Sequence, residues 1–267
     1  MFLIADAGST KIAWAIMDRD TVVNRFQTAG YNPNYADANA FIDILHEIPE
    51  ELPPLDAVCY YGSGCGSEAN QEKVSKILAT RFPKSKIEVG SDMLGAAKAL
   101  LGKERGIACI LGTGANACLY DGHEIVQKAV SLGYLVGDEG SGCYIGRKLV
   151  RAYFYKMMPD NLRGLFKEAF QLDYKEFLDK VYHQPEASKY LASFTRFAGD
   201  HQDHPFVQQL VKDCFNDFIE AFLLPFEDCH ELPIGFVGSV AYHFKGLLKE
   251  SLESRGLHLG KVMRSPI

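Results

Sequence analysis

Short apolar runs broken by polar turns alternate with helix-period stretches through the first part of the chain. Phe2–Ala7 (FLIADA) reads as a buried strand ending near Asp6, and 12–17 (IAWAIM) and 22–27 (VVNRFQ) as two more. Gly8-Ser9-Thr10 turns between the first two, and Asp18-Arg19-Asp20 connects the second and third. A loop rich in Asn, Gly, Tyr and Pro covers Ala29–Asp37. Phe41, Ile42, Leu45 and Ile48 then recur at helical spacing, which predicts a helix over Ala38–Glu47, ended by Pro49, Pro53 and Pro54. A strand at Ala57–Tyr61 follows, then a glycine turn, GSGCGS (62–67). Asn70–Arg81 is a helix with Val74, Ile77 and Leu78 on one face. Lys86–Val89 is a short strand, and Asp92 stands before a helix pattern, MLGAAKALL (93–101).

The second part repeats the order. IACIL (107–111) is a strand, Gly112-Thr113-Gly114 a turn, Ala115–Tyr120 a strand, Asp121-Gly122 a hairpin turn and Glu124–Lys128 the return strand. After GDEGSG (137–142) the pattern is mainly helical to Phe226, with one long helix expected over Phe206–Phe226, started by Asp203 and Pro205. Ile234–Val237 is a strand, Gly238-Ser239 a turn into a helix running to about Ser254, and Lys261–Met263 a last strand. Each half therefore reads as three strands in hairpin order, then helix, strand and helix. The expected fold class is α/β, an internal duplication with a helical insert at about 142–227 in the second copy and a cleft between the two sets of hairpin turns. Gly102 and Gly106, flanking Lys103–Arg105, set the expected domains at 1–105 and 106–267.

Composition narrows the function. The 267 residues are 47% hydrophobic and 23% charged, as in an ordinary globular protein. A net charge of −6 argues against a nucleic-acid partner but not against a nucleotide, whose phosphates backbone amides can hold. No apolar run is long enough for a membrane span, and MFLIADAGSTK lacks the features of a signal peptide, so a cytoplasmic protein is expected. Seven cysteines without a CxxC pair read as buried, reduced thiols.

The candidate chemistry gathers in glycine turns. Within Gly106–Gly146 there are two, Leu111–Asn116 and Gly137–Gly142, the second carrying Asp138 and Glu139, which suggests a site for a polyanion or a sugar. Gly112-x-Gly114-x-x-Ala117 matches the dinucleotide fingerprint literally, but a strand and an Asp-Gly hairpin follow where that motif needs a helix. His201 and His204, with Asp200 and Asp203, have metal-like spacing; a polar turn ahead of the long helix is the preferred reading.

The ordered set DAGSTK (6–11), SDMLGAA (91–97), LGTGAN (111–116), GYLVGDEGSG (133–142) and GFVGSVA (235–241) resembles the N-acetylglucosamine kinases of the BadF/BadG-type ATPase family, nearly end to end. The resemblance implies duplicated ribonuclease H-like domains, the actin-like ATPase fold. That family usually continues for a short segment and a terminal helix beyond a strand like KVMRSPI. It also implies ATP and Mg²⁺ as cofactors, an amino sugar as substrate, closure of the two halves over it, and a homodimer.

The same resemblance implies residue roles. Gly8, Ser9, Thr10 and Lys11, with Gly112, Thr113 and Gly114, would wrap the ATP phosphates through free N–H groups, and Asp6 would hold Mg²⁺ through water. Gly238 and Ser239 would pack against adenosine; a plain strand–helix turn is the structural alternative. Asp92 would be the general base for the sugar 6-hydroxyl, with an N-cap of the helix beginning at Met93 as the alternative. Asn116, Gly133, Tyr134, Asp138 and Glu139 would line the sugar pocket. Asn32, rather than Asn34, is favoured for a further contact, with an Asx-turn role open for either; Ser63 is expected to serve through its backbone. Glucosamine or N-acetylmuramic acid are alternative substrates. An iron–sulfur ATPase that activates a 2-hydroxyacyl-CoA dehydratase would need closely placed cysteines, which the spacing here does not offer. A non-catalytic sugar sensor would have no need of Asp92.

Overall fold

The computed structural model describes every residue except Thr10 and Asp20, so the parts of the first two turns that fall on these lie outside the described residues. The chain forms two compact units, Met1–Ala99 with Pro266–Ile267, and Leu100–Ser265.

In the first unit, β1 (Phe2–Ala7), β2 (Lys11–Asp18) and β3 (Thr21–Ala29) form an antiparallel meander, and β4 (Ala57–Gly62) and β5 (Lys86–Ser91) add in parallel on the other side of β1, giving the order β3-β2-β1-β4-β5. Helices α1 (Ala38–His46) and α2 (Glu68–Arg81) start on side-chain caps from Asp37 and Ser67. Phe41, Ile44 and Leu45 of α1 and Val74, Ile77 and Leu78 of α2 pack with Leu3, Trp14, Val58 and Tyr60 of the sheet into one core. Trp14, buried, donates from its indole to Thr28 Oγ1 at 3.0 Å, which removes the cost of a buried unpaired N–H.

The second unit repeats the plan: β6 (Gly106–Leu111), β7 (Ala115–Tyr120) and β8 (Ile125–Lys128) form the meander, and β9 (Ile234–Val237) and β10 (Leu259–Met263) continue beyond β6 in parallel, in the order β10-β9-β6-β7-β8. The two sheets share one strand order, so the duplication predicted from the sequence is present.

The helical part of the second unit has two features the spacing did not predict. Residues 133–136 form a single helical turn, α4 (Gly133–Val136), ahead of α5 (Gly142–Phe154). After α6 (Asp160–Phe170), α7 (Tyr174–Tyr182), α8 (Ala187–Ser193) and α9 (Thr195–Asp200), the expected long helix divides into α10 (Pro205–Phe218) and a π-helical turn, Ile219–Leu223. Leu224 N–H donates to the Ile219 carbonyl at 3.0 Å, the five-residue reach of a π-turn. Phe218, Ile219, Phe222 and Leu223 are all buried, so the chain keeps an apolar face on the core through the π-turn. His204, not Asp203, caps α10: its Nδ1 accepts from Phe206 N–H at 3.1 Å. That cap is a structural use for one of the two metal-like histidines. All seven cysteines are free; six are buried and Cys59 half-buried.

The last helices, α11 (Ser239–His243) and α12 (Lys245–Glu253), lead to β10. No helix among the described residues is long and apolar enough to cross a membrane.

Candidate active site

In the first unit, parallel pairing brings the carboxyl ends of β1, β4 and β5 together, and each end carries a polar side chain: Asp6, Ser63 and Asp92. In open α/β sheets this edge is where ligands bind. Helix α3 (Asp92–Leu101) begins one residue earlier than predicted, and its cap is Ser91, whose Oγ accepts from Leu94 N–H at 3.2 Å. The capping role weighed for Asp92 therefore belongs to its neighbour. Asp92 Oδ1 accepts from Met93 N–H at 2.8 Å, and Oδ2 accepts from Ser63 Oγ at 3.0 Å. The Ser63 side chain, expected to be idle, thus orients the Asp92 carboxylate. Burial lifts the half-buried Asp6 carboxyl to about 6; the Asp92 carboxylate adds to the rise and Lys11 opposes it. Two carboxylates close enough to repel, with one basic neighbour, make a local deficit of positive charge.

The turn after β1 is tied down on three sides. Gly8 N–H donates to the Lys11 carbonyl at 3.0 Å, Tyr31 N–H donates to the Gly8 carbonyl at 3.2 Å, and Ser63 N–H donates to the Ala7 carbonyl at 2.9 Å. Asn32 Nδ2 donates to Ser9 Oγ at 3.1 Å, while its Oδ1 accepts from Asn34 N–H at 3.0 Å. Asn34 Oδ1 accepts from Asn70 Nδ2 at 2.7 Å. Asn32 thus reaches the Gly8–Lys11 turn and makes the Asx-turn as well, and Asn34 is anchored to α2. Thr10 lies outside the described residues.

In the second unit the two glycine turns are bonded to each other. Gly112 N–H closes its own turn on the Gly114 carbonyl at 3.0 Å. From the start of α5, Gly142 N–H donates to the Gly112 carbonyl at 2.8 Å and Cys143 N–H to the Thr113 carbonyl at 3.0 Å. The amides of Gly8 and Gly112 therefore close the turns rather than standing free as expected. Asp138 occupies the left-handed region at φ 56° and is 9% exposed, with its carboxylate accepting from the Ala115 amide. Burial raises this carboxyl; the Ala115 amide opposes that, Glu139 repulsion adds to it, and Arg147 offsets it. A Cβ on Gly114 would stand 2.9 Å from Asp138 Oδ2, so a larger residue here would push the carboxylate aside. Glu139 is half-buried. Tyr134 is half-buried on α4, which Gly133 begins at φ 71°. Asn116 Oδ1 accepts from Ala117 N–H at 2.9 Å.

Gly238 completes the arrangement at φ 129°. A Cβ there would lie 2.2 Å from the Leu111 carbonyl oxygen and 3.1 Å from Gly112 N, so the β9–α11 turn packs backbone to backbone on the Gly112 turn. A cavity of about 550 Å³ opens beside these turns, lined in part by Gly112, Thr113, Gly142, Thr195, Ser239 and Val240. The buried Thr195 donates from Oγ1 to the Gly142 carbonyl at 2.6 Å. Gly238→Ala is expected to cost about 2–4 kcal/mol in urea unfolding, from the positive φ and the clash together. Gly164→Ala, inside α6 with open space around its Cβ, should instead stabilise by about 0.5–1 kcal/mol.

Sequence reasoning missed Ser91, Thr195 and Arg147. Ser91 had a signal, a capping-type residue beside Asp92; Thr195 and Arg147 act on residues distant in the chain, which no local motif announces.

No family model matches the chain, and no curated protein matches it. Among solved structures it is similar to a putative N-acetylglucosamine kinase from Porphyromonas gingivalis, at 40% identity and a TM-score of 0.94, covering 100% of this chain and 95% of the other. A putative N-acetylglucosamine kinase from Chromobacterium violaceum shares the fold at 16% identity and a TM-score of 0.72, covering 97% and 95%. A ROK family glucokinase from Streptomyces griseus, in complex with glucose and AMPPNP, shares it at 15% identity and a TM-score of 0.54, covering 98% and 94%. The chain belongs to the family of the Porphyromonas gingivalis protein, on the duplicated α/β fold of the actin-like ATPases and sugar kinases.

Proposed function

We propose that the protein is a sugar kinase that uses ATP and Mg²⁺ to phosphorylate the 6-hydroxyl of N-acetylglucosamine, within the BadF/BadG-type ATPases, acting as a cytoplasmic homodimer. The observation that carries the reading is the gathering of Asp6, Ser63 and Asp92 at the carboxyl ends of three adjacent parallel strands. The substrate comes from the family: the relative at 40% identity is named a putative N-acetylglucosamine kinase. Assembly and the BadF/BadG assignment rest on the motif resemblance, and the compartment on the sequence features given above.

Phosphoryl transfer asks the protein for positioning and charge stabilisation. Asp92 takes the proton from the sugar hydroxyl as its oxygen attacks the γ-phosphate. Ser63 and the Met93 amide hold both carboxylate oxygens, so the base keeps one orientation without searching rotamers. The residues fit a magnesium ion: Asp6 is a carboxyl that burial and Asp92 leave short of positive charge, and Mg²⁺ needs only one or two protein carboxylates when phosphates and waters complete its shell. When bound, the ion neutralises charge on the phosphates. Ser9, Thr10, Lys11, Thr113 and Gly114 supply phosphate contacts, with Gly8 and Gly112 shaping their turns. Gly238 and Ser239 border the adenosine, and Asn32, Asn116, Gly133, Tyr134, Asp138 and Glu139 read the sugar.

ADP release measured across N-acetylglucosamine, glucosamine, N-acetylmannosamine and N-acetylmuramic acid tests the reading. The highest kcat/KM is expected with N-acetylglucosamine. Turnover confined to another of these sugars would correct the substrate, and no turnover with any of them would refute the reading.

A further inference from the structure

Helix α4 is a single turn, too short to be stable by itself. Packing does not hold it either: Leu135 and Val136 are 70% and 71% exposed, and no side chain of the turn is buried. Its backbone makes one closing bond, Gly137 N–H to the Gly133 carbonyl at 2.8 Å. The remaining support comes from α5. Arg147 Nη1 donates to the carbonyl of Tyr134 at 2.8 Å and to that of Leu135 at 2.9 Å. The guanidinium lies 4.9 Å from the centroid of the Tyr144 ring, the range of a cation–π contact. Tyr144 is fixed in turn: its hydroxyl donates to Asp217 Oδ2 at 2.7 Å, and Lys148 stands 3.5 Å from the same oxygen. A chain of contacts thus runs from α10 through Tyr144 and Arg147 to the carbonyls of α4.

We propose that Arg147 is the positioning residue for sugar recognition, holding Gly133–Asp138 in its binding conformation without touching the sugar. The proposal rests on the sugar-binding role given above to this segment. Arginine suits the task because its planar head can stack on a ring while its N–H groups reach carbonyls along the edge. The nucleotide turn Gly112–Gly114 has further ties, to Gly142, Cys143 and Gly238, besides the contact of Asp138 with Gly114 and the Ala115 amide, so loosening α4 should disturb it less than the sugar segment.

The test is steady-state kinetics of Arg147→Met and Arg147→Lys in the full chain, with KM measured separately for sugar and ATP. Arg147→Met should raise the sugar KM about tenfold or more, the usual scale for losing hydrogen bonds from a charged group, and change the ATP KM less than about twofold. Arg147→Lys, which keeps the charge and a donor nitrogen but loses the guanidinium, should fall between Met and wild type. A Met variant with an unchanged sugar KM overturns the proposal. So does a parallel rise in both KM values, which marks general loosening rather than positioning. A wild type that turns over no amino sugar overturns the proposed function and this role with it; an active wild type beside an unaltered Met variant overturns only the role of Arg147.

Discussion

Asp92→Asn is expected to lower kcat by about 10²–10⁴-fold, the range for losing a positioned general base. The amide keeps the size of the carboxylate and can still accept from Met93 N–H or Ser63 Oγ, so α3 should begin as before. Ser91, which caps that helix, is untouched, and little stability should be lost. That separation makes the variant informative: an N-cap residue would show its loss in unfolding free energy, a base in kcat. Single-turnover rates and urea unfolding on the same preparation read both. A variant with near-wild-type kcat would remove Asp92 as the base.

Asp6→Asn carries the second large expectation, and its sign differs between activity and stability. Asp6 has a folded pKa of about 6 against its ordinary value of 3.8, so the folded state binds the proton more tightly than the unfolded state. Its stabilising contribution is full below 3.8, declines as pH rises toward about 6, and is absent above that. At pH 7 to 8 wild type therefore keeps an ionised carboxylate that burial and Asp92 disfavour. Asparagine removes that penalty and should stabilise the protein by about 1–3 kcal/mol at this pH. It also removes the proposed magnesium ligand, and kcat/KM should fall by about 10²-fold or more. In wild type, proton and cation compete for this carboxylate, so the magnesium concentration needed for half-maximal activity should rise as pH falls through about 6. Thermal melts and magnesium titrations across pH 5 to 8 measure the three effects. An Asp6→Asn variant with near-wild-type kcat/KM, or less stable than wild type at pH 8, would contradict the role given to this residue.

The duplicated sheet was legible because its strands are short apolar runs punctuated by glycine turns and Asp121-Gly122, local features that specify pairing whatever surrounds them. The register at Asp92 was not. Ser91 and Asp92 are both good caps, and which one caps depends on where β5 ends, a property of its pairing with β4. The π-turn after Phe218 escaped because apolar spacing predicts a helix without its pitch. The amides of Gly8 and Gly112 looked free because hairpin closure is a backbone event. Arg147 carried no signal at all: an arginine within an amphipathic helix ordinarily faces water, and only the fold brings it to the carbonyls of α4. The side chains of the proposed site thus fell within recognisable motifs, whereas the residues that hold them in place were determined by tertiary contacts.

The most direct test of the central claim is ³¹P NMR of the products formed by wild-type protein with ATP, Mg²⁺ and N-acetylglucosamine. The expected spectrum shows a sugar phosphomonoester coupled to the two protons on carbon 6, growing in step with ADP. ADP and inorganic phosphate without any sugar phosphate would contradict it.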